Sequence, residues 1–268
     1  MGIKFFRKSY LDLSYDLPTI TITDGVATDT GEDYTDLMRN RNNNSGWATT
    51  GSSDAGTTTM VIAFGETRSF TDILLIGHNL KSYTLKYHDG TGYVNFSSTI
   101  APTDNTASTN YYNFTEVATP SLELRILGTQ TPDADKYIKQ FLVTNILGTF
   151  TVEPEVQPQF DKDRKVTKFL SGKSFVAKSV GGFNCRVRMK NSGANSADLL
   201  LVERLFATYE GFLVWICGGT TSQFELEREG YRLQDIFLMD VVNEYTPEYV
   251  ESRWYQGMPI DLKMVEVS

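Results

Sequence analysis

The stretch Thr71-Asp-Ile-Leu-Leu-Ile-Gly-His-Asn-Leu-Lys-Ser-Tyr-Thr-Leu-Lys-Tyr-His-Asp-Gly90 decides the fold class of the first half of the chain. The apolar run Ile73-Leu-Leu-Ile76, which ends at Gly77, is typical of a buried strand. Alternation through Leu85 and Lys86 predicts a second strand with one buried face. Asp89 and Gly90 then give a hairpin turn signal. The stretch therefore predicts neighbouring antiparallel strands.

Similar short runs separated by polar turn residues occur throughout the first 150 residues. They predict strands at residues 19–23, 58–64, 71–76, 83–87, 93–96, 121–127 and 138–146. We expect no long amphipathic helix there. Seven or eight short strands joined by polar loops are the pattern of a β-sandwich.

The two histidines of the chain, His78 and His88, do not suggest catalysis. His78 comes at the end of a strand, whereas His88 shares a polar strand face with Lys86. No Gly-x-Ser-x-Gly elbow or pair of carboxylates accompanies them. We predict a protein that is not an enzyme and needs no cofactor; a glycan-active enzyme is the weakest alternative.

Composition indicates a globular chain of two domains without crosslinks. The sequence has 268 residues, 40% of them hydrophobic, and only two cysteines. The net charge of −8 argues against general nucleic-acid binding. Charge is segregated, however: residues 162–190 carry nine basic and one acidic residue, and residues 198–268 carry five basic and thirteen acidic. The usual explanation is two solvated faces, but opposite charges within one domain also suit the two sides of a ring or a head-to-tail stack. No membrane span or secretory signal is expected.

The second half of the chain shows a different pattern. Two prolines within residues 148–160 indicate an extended connection, so we place the domains at 1–152 and 153–268. In residues 183–190, alternation puts Arg186 and Arg188 on a polar strand face. An amphipathic helix is predicted at about 196–210 and ends at Gly211. Leu200 lies off its apolar stripe, beside Glu203, as an incidental surface residue or a subunit contact.

The central strands resemble those of galactose-binding-like (discoidin-type) jelly-roll domains. The resemblance rests on residues 70–79, 83–87 and the Asp89-Gly90 turn, and on residues 121–127 and 139–146 as the last two strands. It covers about residues 30–148 and implies a jelly-roll β-sandwich. A fold alone does not give a function.

Residues 160–268 resemble the tail-tube and hub domain of bacteriophage distal tail proteins. The resemblance rests on the passage from helix to strand at 199–217, and on a long strand within residues 229–240 that is followed by a closing strand at residues 261–267. It implies a split β-barrel flanked by one helix and a homohexameric ring that leaves a channel for DNA. Arg186, Arg188, Leu200 and Glu203 are then the candidate contacts between subunits.

Candidate carbohydrate contacts lie near the loops of the predicted sandwich. Aromatic faces stack on the apolar side of sugar rings, and Asn and Asp side chains hydrogen-bond to hydroxyls. The candidates are Trp47, Asn79, His88, Tyr111 and Tyr112. The alternative is that Trp47 and one of the tyrosines plug the ends of the sandwich.

An acidic segment offers a weak candidate for a calcium site. Asp29, Glu32 and Asp33 are its core, with Asp24 and Asp36 nearby, and calcium binds six to eight oxygens. The spacing matches no EF-hand, so a solvated loop is the simpler interpretation and no metal is predicted.

Taken together, these patterns predict a structural virion protein of a phage tail tip or baseplate, assembled in the host cytoplasm. A ring would join the tail tube to the distal apparatus, and the outer sandwich would contact fibres, neighbours or host glycan. The alternative is a carbohydrate-binding module fused to an oligomerisation domain.

Overall fold

The computed structural model describes residues 2–13, 18–40, 45–150, 155–160, 164–168, 174–178, 183–189, 196–207, 212–217, 236–241 and 260–266. Strands dominate these residues, which confirms the mainly-β class. The chain divides into two compact units, one formed by Phe6–Ile146 and the other by Met1–Phe5 with Leu147–Ser268. No helix among the described residues has the length and apolar character needed to cross a bilayer.

The sandwich unit contains seven strands and a short 3₁₀ helix, Glu32–Met38. The strands are β2 (Thr19–Asp24), β3 (Trp47–Ala48), β4 (Thr58–His78), β5 (Leu80–His88), β6 (Tyr93–Ile100), β7 (Thr109–Thr129) and β8 (Tyr137–Thr144). Most of the strands predicted from alternation are confirmed. The 3₁₀ helix falls where the sequence indicated an acidic loop.

Two long strands pass through both layers of the sandwich. The first half of β4 pairs with β2 and with the second half of β7, which in turn pairs with β5. The second half of β4 pairs with the first half of β7 and with β8. β4 turns between its halves near Gly65, whose φ of 76° favours glycine. Each long strand therefore contributes to both layers of the jelly-roll sandwich.

The inner faces of these two layers form one hydrophobic core. Met60 and Leu124 come from the first layer, and Ile73 and Phe141 from the second; all four are fully buried. Burial of a side chain of this size stabilises a fold by about 1.5–3 kcal/mol. The aromatic chain Phe64, Phe70, Phe114, Phe96 and Tyr87 continues the same core, with successive ring centroids 4.3–5.9 Å apart.

The second unit contains the single α-helix described, α1 (Ser196–Ala207). Its strands are β1 (Gly2–Phe6), β9 (Ile146–Thr149), β10 (Glu155–Phe160), β11 (Arg164–Lys168), β12 (Ser174–Lys178), β13 (Phe183–Met189), β14 (Phe212–Cys217), β15 (Ile236–Val241) and β16 (Ile260–Glu266). Leu199, Leu201, Val202 and Leu205 are buried on α1, as its apolar stripe predicts, and Leu200 is 44% exposed. Residues 208–210 of the predicted helix lie outside the described residues.

The strands of the second unit form an open sheet. Seven of them lie in the order β10-β13-β16-β15-β14-β1-β9, and β11 pairs only with β12. Among the described strands no pairing joins β10 to β9, so the sheet has two edges. No closed barrel is formed among the described residues, which is in keeping with the predicted split barrel and its open edges.

The first strand of the chain belongs to this open sheet. Gly2 pairs with Cys217 and Phe5 with Val214, so the sandwich is inserted between β1 and β9, which are neighbours in the sheet. The predicted boundary near residue 152 differs from this division at both ends. A pairing between segments far apart in the sequence leaves no local pattern. β1 is only five residues long, so its sequence is compatible with either sheet.

Hydrogen bonds join the two segments through which the chain enters and leaves the sandwich. The Arg7 amide donates to the Asn145 carbonyl (2.8 Å), and the Thr144 hydroxyl donates to the Arg7 carbonyl (2.6 Å). The Tyr10 amide donates to the Val143 carbonyl (2.8 Å). Both ends of the inserted unit are therefore held side by side.

Candidate carbohydrate-binding surface

His78 belongs to a buried polar network rather than to an active site. Its Nδ1 accepts a hydrogen bond from the Leu80 amide (3.1 Å), so Nε2 carries the proton and donates to Asn110 Oδ1 (2.8 Å). The same amide oxygen accepts from the Tyr83 hydroxyl (3.0 Å). Burial lowers the pKa of His78 to about 4, although the bond to Asn110 opposes this shift. The ring is therefore neutral at pH 7 and acts as a structural link.

Asp24 and Lys136 form an ion pair whose two side chains are 0% exposed. Lys136 Nζ lies 3.3 Å from Asp24 Oδ2 and donates to the carbonyls of Ser53 (3.2 Å) and Gly56 (2.7 Å). Burial acts to raise the pKa of Asp24, but hydrogen bonds from Thr58 and backbone amides outweigh it, so the pKa lies far below its ordinary value. Lys136 therefore links the end of β2 to the segment that contains Ser53 and Gly56.

Trp47 is fully buried, so the prediction that it contacts sugar is wrong. Its indole N–H donates to the Thr30 carbonyl (2.9 Å), and its ring is part of the core. Asn79 is also 91% buried and structural: its amide group donates to the Asp135 carbonyl (2.7 Å) and accepts from the Tyr137 amide (3.0 Å). The position of Trp47 instead agrees with the alternative prediction that this side chain fills the end of the sandwich core.

Tyr111 and Tyr112 are adjacent, but their side chains bond to different partners. Tyr111 donates to the buried carboxylate of Asp72 (2.6 Å). Tyr112 packs against the core, and its hydroxyl bonds to that of Tyr83. Burial raises the pKa of Tyr111 and of Tyr112, so both phenols remain protonated. Both hydroxyls are held within the sandwich by these bonds, which leaves the two rings poorly placed for a sugar.

His88 is the predicted sugar contact that lies on an open sheet face. It pairs with Tyr93 across β5 and β6, and their rings meet edge to face with centroids 5.2 Å apart. The Tyr93 hydroxyl bonds to that of Ser121 (3.2 Å). The backbone of His88 is fixed by Thr119, which donates to its carbonyl (2.8 Å). The structure thus disperses the five predicted contacts instead of gathering them.

The weak candidate for a metal site is not formed. Asp29 Oδ1 accepts a hydrogen bond from the Gly31 amide (2.8 Å), whereas Glu32 and Asp33 are exposed in the first turn of the 3₁₀ helix. Among the described residues, no group of three or more His, Cys, Asp or Glu side chains could hold a metal ion. The 3₁₀ helix separates carboxylates that a flexible loop could have brought together.

Two tyrosines that the sequence analysis did not single out are exposed at the end of the sandwich that carries the buried ion pair. Tyr34 on the 3₁₀ helix is 57% exposed, and Tyr137 at the start of β8 is 41% exposed. The 3₁₀ helix packs against β3 and β8, and Ala48 of β3 pairs with Tyr137. We use the name tyrosine ledge for these two exposed tyrosines together with Ala48.

The backbone beneath the ledge is held by close contacts. Gly31 has a φ of 68°, and a Cβ atom on it would lie 2.1 Å from the Ala48 carbonyl oxygen. The Tyr34 amide donates to the Gly31 carbonyl (3.0 Å). The bond from Trp47 to Thr30 fixes the preceding residue. Trp47 and Asp29 therefore fix the backbone at Thr30 and Gly31, next to the ledge, rather than forming a site themselves.

Substitution of Gly31 by alanine tests this support. The positive φ and the overlap with the Ala48 carbonyl should together reduce the free energy of unfolding by about 2 kcal/mol, measured by urea denaturation. Gly65 is the matched control, since its φ of 76° is similar and nothing lies within 4 Å of an added Cβ. Equal losses at the two positions would mean that the contact with Ala48 contributes nothing.

The candidate subunit contacts of the second unit are partly neutralised within the chain. Arg186 donates to both oxygens of Asp261, and Arg188 Nε lies 3.7 Å from the same carboxylate. The hydrogen bonds from Arg186 lower the pKa of Asp261. Leu200 is exposed on α1 and Glu203 is half-buried. The structure brings the two arginines together and places the two helix residues on a separate element.

Comparison with known proteins yields similarity to solved structures only. No protein-family model matches the chain, and no curated protein matches it. Chitosan-binding module 1 of a chitosanase/glucanase from Paenibacillus sp. IK-5 is 14% identical with a TM-score of 0.39, over 51% of this chain and 98% of that one. A putative alpha-L-fucosidase from Bacteroides thetaiotaomicron is 14% identical with a TM-score of 0.41, over 52% of this chain and 30% of that one.

A third similar structure is a Clostridium perfringens module, CpGH89CBM32-5, in complex with GalNAc-beta-1,3-galactose. It is 12% identical with a TM-score of 0.35, and the match covers 47% of this chain and 94% of that one. Identities and TM-scores this low transfer neither a ligand nor an activity to this chain. None of these three structures is a phage tail protein.

Proposed function

We propose that this chain is a structural protein without enzymatic activity, in which a carbohydrate-binding sandwich is carried by a unit that joins copies of the chain. The sandwich contributes recognition, and the open sheet contributes assembly. This corresponds to the alternative function predicted from sequence, a binding module fused to an oligomerisation domain.

The observation that carries this proposal is the insertion of the sandwich between two neighbouring strands. β1 and β9 are adjacent in the sheet, although the whole sandwich unit lies between them in the sequence. The hydrogen bonds from Arg7 and Thr144 close the inserted unit at its base. Such an arrangement suits a recognition module displayed on a separate scaffold.

The buried polar groups of the sandwich support a role in binding rather than catalysis. His78, Asp24 and Asp72 are each engaged by hydrogen bonds from neighbouring groups. A catalytic acid or base must instead reach a substrate atom within hydrogen-bond distance. Turnover of a glycan abolished by a single Asp or Glu substitution would contradict this part of the proposal.

A second candidate function is a ring component of a phage tail tip, assembled in the host cytoplasm. The observation that favours it is the open seven-stranded sheet, whose edge strands β9 and β10 could pair with or be covered by a neighbouring copy. In that case the ring would be hexameric, would contact tube, hub and fibre proteins, and would let DNA pass through its lumen. The sandwich would then face the host surface.

The experiment combines a glycan panel with particle size, both on the full-length chain. We expect retention of the chain on at least one polysaccharide and a molar mass several times that of the 30.1 kDa chain by light scattering. Rings with outward lobes in negative-stain images would favour the tail candidate. A strict monomer at high concentration would exclude the assembly role, and failure to bind any glycan would exclude the recognition role.

A further inference from the structure

We infer that the tyrosine ledge is the saccharide-contacting surface of the sandwich and that it selects chains without carboxylate groups. The inference rests on the proposed carbohydrate binding and assigns it a site and a charge class. None of the residues predicted from sequence as sugar contacts belongs to this surface.

Exposure of the two rings is the first argument. Tyr34 and Tyr137 are 57% and 41% exposed. Tyr83 is fully buried, and Tyr93, Tyr111 and Tyr112 are half-buried. An exposed phenol ring offers a flat apolar face to the C–H side of a sugar and a hydroxyl to its polar edge. Ala48, on the strand that pairs with Tyr137, has a small side chain that leaves room above the sheet.

Rigidity of the support is the second argument, because binding is stronger when the contacting groups are held in advance. Tyr34 is placed by the bond from its amide to Gly31 and by the contact of Gly31 with Ala48. Tyr137 is placed by the bond from its amide to Asn79 and by its position on β8. Neither ring depends on a long loop for its position.

The charge around the ledge sets the class of saccharide. Glu32 and Asp33 directly precede Tyr34 and are exposed, and Asp135, two residues before Tyr137, is exposed as well. Lys136 is buried in its pair with Asp24, so its charge is already balanced. The exposed Lys139, two residues after Tyr137 on the same strand face, offsets one of the three carboxylates and leaves an excess of negative charge. Like charges in contact weaken association. A uronic-acid polymer would therefore be repelled, whereas neutral or amine-bearing polymers would not.

The face that carries His88 and Tyr93 is the competing location. There the two rings pack edge to face, and both residues are half-buried. The Tyr93 hydroxyl is also engaged with Ser121. Less of each ring is open to a ligand than on the ledge, which makes Tyr93 a suitable control.

The test is affinity electrophoresis of the full-length chain through gels that contain a glucose polymer, a glucosamine polymer or a galacturonic-acid polymer. We expect retardation by at least one of the first two and none by the third. Tyr34→Ala and Tyr137→Ala should each weaken binding about tenfold, with Tyr93→Ala binding as the unmodified chain does. Thermal melts of all variants check that each remains folded. The paired change Glu32→Gln with Asp33→Asn should lessen discrimination against the acidic polymer.

The outcomes distinguish failure of the proposed site from failure of the proposed carbohydrate binding. Unchanged binding in both ledge variants, with loss in Tyr93→Ala, would overturn the ledge and leave carbohydrate binding intact. Equal binding of the galacturonic-acid polymer would overturn the charge class. Absence of binding to every polymer by the unmodified chain would overturn the carbohydrate proposal together with the ledge.

Discussion

Replacing Lys136 with methionine is expected to destabilise the sandwich unit by about 3–5 kcal/mol, because it leaves the Asp24 carboxylate buried without its cationic partner. Both side chains are 0% exposed, so water cannot replace the lost ammonium group. Methionine has a similar length and keeps most of the packing. The loss therefore reports on charge pairing and on the bonds to the carbonyls of Ser53 and Gly56.

Urea unfolding at pH 7, followed by tryptophan fluorescence, measures this effect. Lys81→Met is the matched control, because Lys81 forms an exposed pair with Asp104, with side chains 45% and 81% exposed. Exposed pairs contribute about 0–1 kcal/mol. A similar small change in both variants would show that the buried pair does not stabilise the loops it connects.

Acidification from pH 7 to pH 4 is expected to reduce the stability of the sandwich by about 3 kcal/mol through His78. Its pKa is about 4 in the folded chain and 6.5 as a model value. The unfolded chain therefore binds more protons between these values, so the contribution of His78 is complete above pH 6.5 and is lost as the pH falls towards 4. Protonation of Nδ1 would also remove the acceptor of the Leu80 amide.

Unfolding free energies at several pH values, with and without His78→Gln, check this expectation. The substitution should flatten the pH dependence in this range, whatever it does to stability at pH 7. His88→Gln changes the other histidine, on the outer sheet face, and should leave the acid sensitivity in place. An unchanged slope in His78→Gln would show that other groups cause the acid effect.

Strand pattern was the part of the fold that the sequence predicted well. Alternation around Leu85 located β5, and apolar stripes located the buried side of α1, because both depend on neighbouring residues. The place of β1 was not predicted, since Gly2 pairs with Cys217, a residue far away in the sequence. The order of the strands in the second sheet likewise depends on pairings between distant segments, which no local pattern records.

The candidate site was predicted less well because exposure depends on packing from distant segments. Trp47 follows Asn, Ser and Gly residues that suggested an open loop, but the segment around Thr30 and Gly31 packs over it. Tyr137 carried a usable signal, since it alternates with the buried Ile138. Tyr34 carried a weaker one, as a lone aromatic residue among acidic neighbours.

The insertion has a consequence for the order in which the chain folds during synthesis. β1 leaves the ribosome before β14, so it remains without this partner while the sandwich is completed. Once Arg7 and Asn145 are bonded, the sandwich brings residues 6 and 146 together. The loop that closes when Gly2 meets Cys217 is then effectively much shorter, and its entropic cost is lower. We therefore expect folding of the inserted unit to favour the pairing of β1 with β14.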